Sequence, residues 1–138
     1  MNVFLKRVQS PAIQAVYQKM EALWIDRMKQ LNDQLLGQGL PVRVVGMATV
    51  WTVVYEVPSR YNWMLQFYLR AHGLALSWVG SGRLIFSLNY GDVEFAEVAK
   101  RFTQAAKDMQ DAGWWDGPEQ SNQKIRKGIF KEMLRQPR

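Results

Sequence analysis

Two short runs of β-branched and aromatic residues constrain the fold of this chain more than any other feature. Residues 42–45 read VRVV and residues 50–55 read VWTVVY, and only the four residues GMAT separate them. Valine, threonine, tryptophan and tyrosine favour strands, and a connection this short joins antiparallel neighbours. The sequence therefore predicts a β-hairpin, and with it an antiparallel sheet.

Helical patterns lie on both sides of this hairpin. Ser10 and Pro11 suit the cap and first turn of a helix over residues 11–36, and further helices are predicted over residues 61–72 and 92–112. A glycine follows each of them, as is common where a helix ends. The first helix is expected to bury one apolar stripe, made of Ile13, Val16, Met20, Leu23, Trp24, Leu31 and Leu35.

A second hairpin is predicted after the second helix. Residues 75–79 and 83–88 are apolar runs joined by the tripeptide GSG, whose glycines permit a tight reversal. The order helix, hairpin, helix, hairpin, helix predicts an α+β fold in two layers, with a small, mostly antiparallel sheet of about four strands and helices mainly on one face. We assign residues 1–113 to this domain, and residues 114–138 to a basic C-terminal extension with a short helix.

Positive charge is concentrated in that extension. Eighteen basic and twelve acidic residues give the chain a net charge of +6, and residues 124–138 carry six basic residues against the single Glu132. An acidic protein, a nucleic acid or an anionic membrane surface are the partners to consider. For the basic helix we favour docking on a neighbouring domain or subunit, and we expect no membrane partner. We also expect Trp24, Trp51 and Trp63 to pack in the core, where they could not stack on bases, so we do not expect a nucleic-acid partner.

Several kinds of catalytic site are excluded by the residues that are missing. The chain has no cysteine and one histidine, His72, so it has neither a thiolate metal site nor a multi-histidine metal centre. His72 stands at a helix end before a glycine, where it favours a capping role over catalysis. The first residues lack the long apolar run of a secretory signal, and we expect a cytoplasmic protein.

Arg83 is the candidate binding residue, in the stretch SGRLIFSLNY at residues 81–90. The preceding glycines join two strands and lack the lysine that a phosphate-binding loop would need, so we do not expect a nucleotide there. A guanidinium held by a hairpin has the geometry to grip a carboxylate through two hydrogen bonds. A solvated strand end is the other interpretation, and spacing alone favours it.

Residues 15–109 resemble the C-terminal small domain of class III, fold-type I pyridoxal-phosphate (PLP) aminotransferases, particularly the branch with glutamate-1-semialdehyde aminomutase. Four stretches carry the resemblance in order: VYQKMEALWIDRMKQLNDQL, GLPVRVVGMATVWTVVY, YLRAHGLALSWVGSG and FSLNYGDVEFAEVAKRFTQA. The second resembles the family's hairpin G-x-P-x-x-V-x-x-x-G-S-x-F-T-x-x-F. Ala48 and Thr49 replace its glycine and serine, and Tyr90 and Gly91 replace a histidine and threonine before the last helix, so the resemblance does not imply the aminomutase's own specificity.

The resemblance also implies what this chain does not contain. In the family, the lysine that binds PLP, the aspartate that faces its ring nitrogen and the phosphate-binding loop belong to a large domain N-terminal to this one. The resemblance therefore implies a homodimeric enzyme acting on an amino or keto acid, with PLP bound outside this chain. The chain alone is expected to bind no cofactor and to be inactive. The alternative is a stand-alone basic binding or regulatory module.

The resemblance gives Arg83 a role. The wider family's pattern R-[FL]-x-P-P-L carries an arginine that grips the substrate's α-carboxylate, and RLIFSL places Arg83 at that position, with Phe86 and Ser87 replacing the prolines. The aminomutase branch generally lacks this arginine. Arg83 thus favours an aminotransferase over a strict aminomutase.

Overall fold

A computed structural model describes residues 3–76, 82–115 and 120–135 of the chain. Its elements are α1 (Val3–Val8), α2 (Pro11–Gly37), β1 (Val42–Met47), β2 (Val50–Tyr55), a 3-10 turn (Asn62–Met64) that leads into α3 (Leu65–Ala71), β3 (Arg83–Ile85), α4 (Asp92–Asp111) and α5 (Asn122–Arg135). The three helices predicted from periodicity are confirmed. Helix α1 was not predicted, because its six residues are too few to show a period.

The strands form one antiparallel sheet in the order β1-β2-β3. Met47 lies opposite Val50, so the first hairpin turns through only two residues, Ala48 and Thr49. The hairpin prediction is confirmed, and so is the α+β class. Of the second hairpin, β3 is present and pairs with β2, whereas residues 77–81 of its predicted first strand and turn lie outside the described residues.

One face of the sheet packs against the helices. Side chains alternate between the two faces of a strand, and here the buried set is Val42, Val44, Trp51, Val53 and Leu84. Four aromatic rings join the two layers, because Trp24 from α2, Trp51, Phe86 and Phe95 from α4 lie with ring centroids 4.8–6.4 Å apart. Edge-to-face and stacked pairs at such distances add to the free energy gained by burial.

The predicted stripe of α2 is only partly buried. Trp24, Leu31 and Leu35 lie in the core, whereas Val16 and Leu23 are exposed. A helix of 27 residues is about 40 Å long, and six-residue strands are about 20 Å long, so the first half of α2 extends past the sheet. Expecting Trp63 in the core was wrong: its side chain is 53% exposed and contacts only Phe67 among aromatic rings of the described residues, edge to face at 5.7 Å.

The helix predicted in the basic extension is confirmed as α5, which buries none of its side chains. Arg60 bonds both carboxylate oxygens of Glu132 at 2.9 and 3.1 Å and ties α5 to the segment before α3. None of the helices in the described ranges is long and apolar enough to cross a bilayer. The division of the chain at residue 113 remains a prediction.

Candidate functional site

Arg83 begins β3 on the face of the sheet that the helices do not cover. It lies opposite Thr52, while the next residue, Leu84, lies opposite Trp51 in the core. Because side chains alternate along a strand, Arg83 and Ile85 share the other face. We call this the outer sheet face; it carries Arg43, Val45, Met47, Val50, Thr52, Val54, Arg83 and Ile85.

An apolar row crosses the outer sheet face beside Arg83. Met47, Val50 and Ile85 lie opposite one another on three successive strands, and between 46% and 79% of each residue is exposed. Opposed side chains on neighbouring strands are about 5 Å apart, so the three form one continuous patch. Apolar patches bordered by polar groups commonly mark binding surfaces. The described residues leave this patch open.

The backbone around Arg83 is fixed although its side chain is exposed. The Val53 amide donates to the Gly82 carbonyl at 3.0 Å, and the Phe86 amide donates to the Thr49 carbonyl at 2.9 Å, so both ends of β3 are bonded to the first hairpin. No carboxylate of the described residues forms an ion pair with Arg83, whereas Arg43 on the same face has Glu56 at 3.5 Å. Arg83 is thus a positioned cation within reach of an external anion.

Arg27 is a buried cation that the sequence analysis missed. Only 3% of Arg27 is exposed, and its guanidinium donates to the Tyr90 carbonyl at 3.0 Å and to Asp92 at 2.9 Å. It also lies over the rings of Trp24 and Phe95, at 4.7 and 5.4 Å from their centroids. The Asp92 carboxylate is almost fully exposed, which weakens its attraction to Arg27. Arg27 therefore fastens α2 to the start of α4.

Arg27 also lines an open groove of about 440 Å³ between α2 and α4, together with Gln30, Gln34 and Phe95. This groove lies on the helical side of the domain, and Arg83 is not among the residues that line it. No sequence signal could have paired Arg27 with Asp92, because the two residues are 65 positions apart and neither belongs to a motif. Arg27 therefore lies on the helical side of the domain, and Arg83 lies on the outer sheet face.

His72 is at the C-terminal end of α3, as predicted, and its imidazole turns toward α4. Its Nε2 shares a hydrogen bond with Asp108 at 2.7 Å, and Gln104 donates to the other oxygen of Asp108 at 2.8 Å. Hydrogen bonds from Gln104 and His72 hold the pKa of the Asp108 carboxyl below its usual range. This cluster joins two helices, and its hydrogen bonds involve no serine or threonine of the described residues.

Comparison of the sequence with protein-family models finds no match, and comparison with curated proteins finds none. Two solved structures share the fold. A transaminase with PLP bound matches 78% of this chain with a TM-score of 0.60 and 23% identity. An omega-transaminase from Sphaerobacter thermophilus matches 75% of it with a TM-score of 0.60 and 16% identity. The fold is that of part of a transaminase. This chain spans only 26% of either enzyme.

The residues of this chain do not fit a PLP site. A lysine that bonds to PLP must lose its proton, and a carboxylate must face the ring nitrogen. All eight lysines lie on helices and are exposed, and the hydrogen bond that Lys107 donates to Asp111 raises the pKa of Lys107. The described residues also contain no cluster of three metal ligands. Among the described residues, the part of a transaminase fold that this chain shares therefore offers no lysine suited to bond to PLP.

Proposed function

We propose that this chain is the C-terminal small domain of a PLP-dependent aminotransferase of class III, fold type I, related to the glutamate-1-semialdehyde aminomutase branch. The shared fold with one quarter of two transaminases supports this proposal, and so does the order of the four resembling stretches. The large domain of the same enzyme would hold PLP. The enzyme would be a cytoplasmic homodimer acting on an amino or keto acid.

The outer sheet face is the observation that carries the proposal. Helices cover one side of the sheet, and the described residues leave the other side open, with an apolar row next to Arg83; such a surface is suited to close over a second domain. The joint exposure of Met47, Val50 and Ile85 indicates a surface that a partner covers. We infer that the large domain covers this row and leaves Arg83 facing the substrate.

Arg83 would bind the carboxylate of the substrate. Its planar guanidinium can donate two parallel hydrogen bonds to one carboxylate, which fixes the orientation as well as the position of the substrate. Closure over the apolar row would exclude water, and the attraction between Arg83 and the carboxylate would then be screened less. Bound in the large domain, PLP supplies the electron sink for amino transfer. The small domain contributes binding and orientation.

The test begins with the source genome and ends with kinetics. The proposal requires a coding sequence for a large domain with a PLP-binding lysine, in the same frame or a separate one, and its absence would overturn the proposal. Co-expression with that large domain should give PLP-dependent amino transfer. Arg83→Ala should then lower kcat/KM by about 10- to 150-fold, the loss of one charge-assisted contact worth about 1.5–3 kcal/mol.

Arg43→Ala is the matched control, because Arg43 is an exposed arginine on the same sheet face, at 3.5 Å from Glu56. We expect Arg43→Ala to leave kcat/KM within about twofold, as for a surface ion pair. Arg83→Lys should keep the charge but recover only part of the activity, because a lysine cannot bind a carboxylate through a fork. Equal effects of Arg83→Ala and Arg43→Ala would return Arg83 to the role of a solvated strand end.

The isolated chain offers a second test. Incubated with PLP and treated with borohydride, it should show only scattered, substoichiometric labelling of its exposed lysines. Peptide mapping that found one lysine labelled stoichiometrically would contradict the claim that the chain alone lacks the cofactor site.

A further inference from the structure

Helix α5 is a basic helix that packs none of its side chains into the core. Its 14 residues span about 21 Å, and none of them is buried. It carries five cations, namely Lys124, Arg126, Lys127, Lys131 and Arg135, and one acidic residue, Glu132. A solvated helix needs charges, but it does not need the large apolar side chains that α5 also exposes.

Those apolar side chains form one face of α5. At 100° per residue, Phe130, Met133 and Leu134 fall within about 100° of one another, and they are between 63% and 71% exposed. Lys127 and Lys131 fall on the adjoining arc. Arg126 lies among the apolar residues, where a long side chain can lay its stem on an apolar surface and extend its charged end to the edge. Helix α5 is therefore amphipathic with a positively charged polar face.

An ion pair with Arg60 neutralises Glu132, the one acidic residue of α5. Glu132 accepts two hydrogen bonds from Arg60, which also lower the pKa of the Glu132 carboxyl. The ion pair is exposed on both sides, so it fixes the helix only weakly. It orients the Glu132 side of α5 toward the domain. At 100° per residue, Phe130 and Leu134 lie about 160° around the helix from Glu132 and Met133 lies about 100° from it, and all three are exposed.

We propose that α5 binds the surface of an anionic lipid bilayer and lies in its headgroup region. The apolar side chains would enter the boundary with the acyl chains, and the lysines would meet lipid phosphates, as in interfacial helices of this pattern. Each cation near an anionic bilayer strengthens binding by about fivefold. Nucleic acid fits less well, because its phosphates would leave Phe130, Met133 and Leu134 without a partner. This proposal replaces the expectation from the sequence that the chain has no membrane partner, and it does not depend on the proposed aminotransferase role.

The experiment is co-sedimentation of the full chain with vesicles. Vesicles with about 30% phosphatidylserine should bind it, pure phosphatidylcholine should not, and salt should weaken binding because it screens the charges. Lys127→Gln with Lys131→Gln should lower the partition coefficient by about 25-fold. Lys29→Gln with Lys100→Gln removes the same charge from α2 and α4 and should change binding by no more than about twofold.

The apolar face is tested separately. Met133→Gln with Leu134→Gln keeps the charge and the helix propensity and should abolish stable binding; far-UV circular dichroism reports whether α5 still forms. No binding to anionic vesicles would overturn the proposal. Equal losses of vesicle binding from the Lys127 and Lys131 changes and from the Lys29 and Lys100 changes would also overturn it. Such a result would indicate that binding depends on the net charge of the chain and not on α5. A salt-dependent affinity for an RNA or DNA oligonucleotide that survives the Met133→Gln and Leu134→Gln changes would favour a nucleic-acid module instead.

Discussion

Gly46 is the position where one added methyl group should cost the fold most. It lies opposite Trp51 in the first hairpin, on the core side. A Cβ at Gly46 would stand 2.7 Å from the Trp51 Cα and still closer to Trp51 Cδ1 and the Val50 carbonyl oxygen. Two of these three atoms belong to the backbone. The third belongs to a buried ring in contact with Trp24, Phe86 and Phe95, so none can move away cheaply.

We expect Gly46→Ala to lower the free energy of unfolding by about 3 kcal/mol, the upper end for overpacking a core. Replacing glycine also restricts the unfolded chain, which stabilises the fold by about 0.4–1 kcal/mol where the new residue fits, too little to offset the clash. Since small domains are stable by about 5–15 kcal/mol, the loss is large enough to measure while the protein still folds.

Urea unfolding followed by tryptophan fluorescence measures the change through the midpoint and slope of the transition. Gly37→Ala is the matched control, because Gly37 ends α2 and no atom lies within 4 Å of its added Cβ. That control should gain up to about 1 kcal/mol. In a Trp51→Phe background, Gly46→Ala should remain destabilising because the backbone contacts persist. A loss below about 1 kcal/mol from Gly46→Ala would refute the register or the ring packing described above.

Two further substitutions test the same hairpin. Ala48 is at φ 48°, where a non-glycine residue is strained by about 1–2 kcal/mol, so Ala48→Gly should raise the free energy of unfolding by up to about 1 kcal/mol; a midpoint that falls would contradict this. Burial raises the pKa of Tyr55 to about 12, compared with about 10 in the unfolded chain. The free energy of unfolding should therefore fall as pH rises from about 10 toward 12, because the unfolded chain loses this proton first. Ultraviolet titration measures the pKa, and Tyr55→Phe should remove this loss of stability at alkaline pH.

The sequence was sufficient for the elements whose signals are local. Periodicity, caps and β-branched runs place α2, α4 and the first hairpin within a residue or two, because each signal lies inside the element it predicts. The two-residue turn at Ala48 and Thr49 was missed, since neither residue is typical of a turn with positive φ. The family that the chain resembles has a glycine where this chain has Ala48. Without that glycine, the sequence does not mark the turn.

Features that depend on distant partners could not be predicted in the same way. Arg27 is an ordinary helical arginine until the fold brings Tyr90 and Asp92 to it. Leu23 belongs to the apolar period of α2 but is exposed, because periodicity reports a face and not what lies against it. The same limit applies to Trp63. Its helical pattern did not show whether other elements would cover its side chain, and the side chain is exposed.

The register of β3 determines from which side of the sheet an anion can reach Arg83. Because Leu84 is in the core, Arg83 must face away from α2 and α4, and an anion can reach it only across the outer sheet face. The groove at Arg27 opens on the helical side, so the two arginines cannot bind one small ligand. A substrate held by Arg83 therefore has to be presented by whatever covers Met47, Val50 and Ile85. In the proposed enzyme that covering surface is the large domain, so Arg83 would bind a substrate carboxylate only once the large domain has packed on this row.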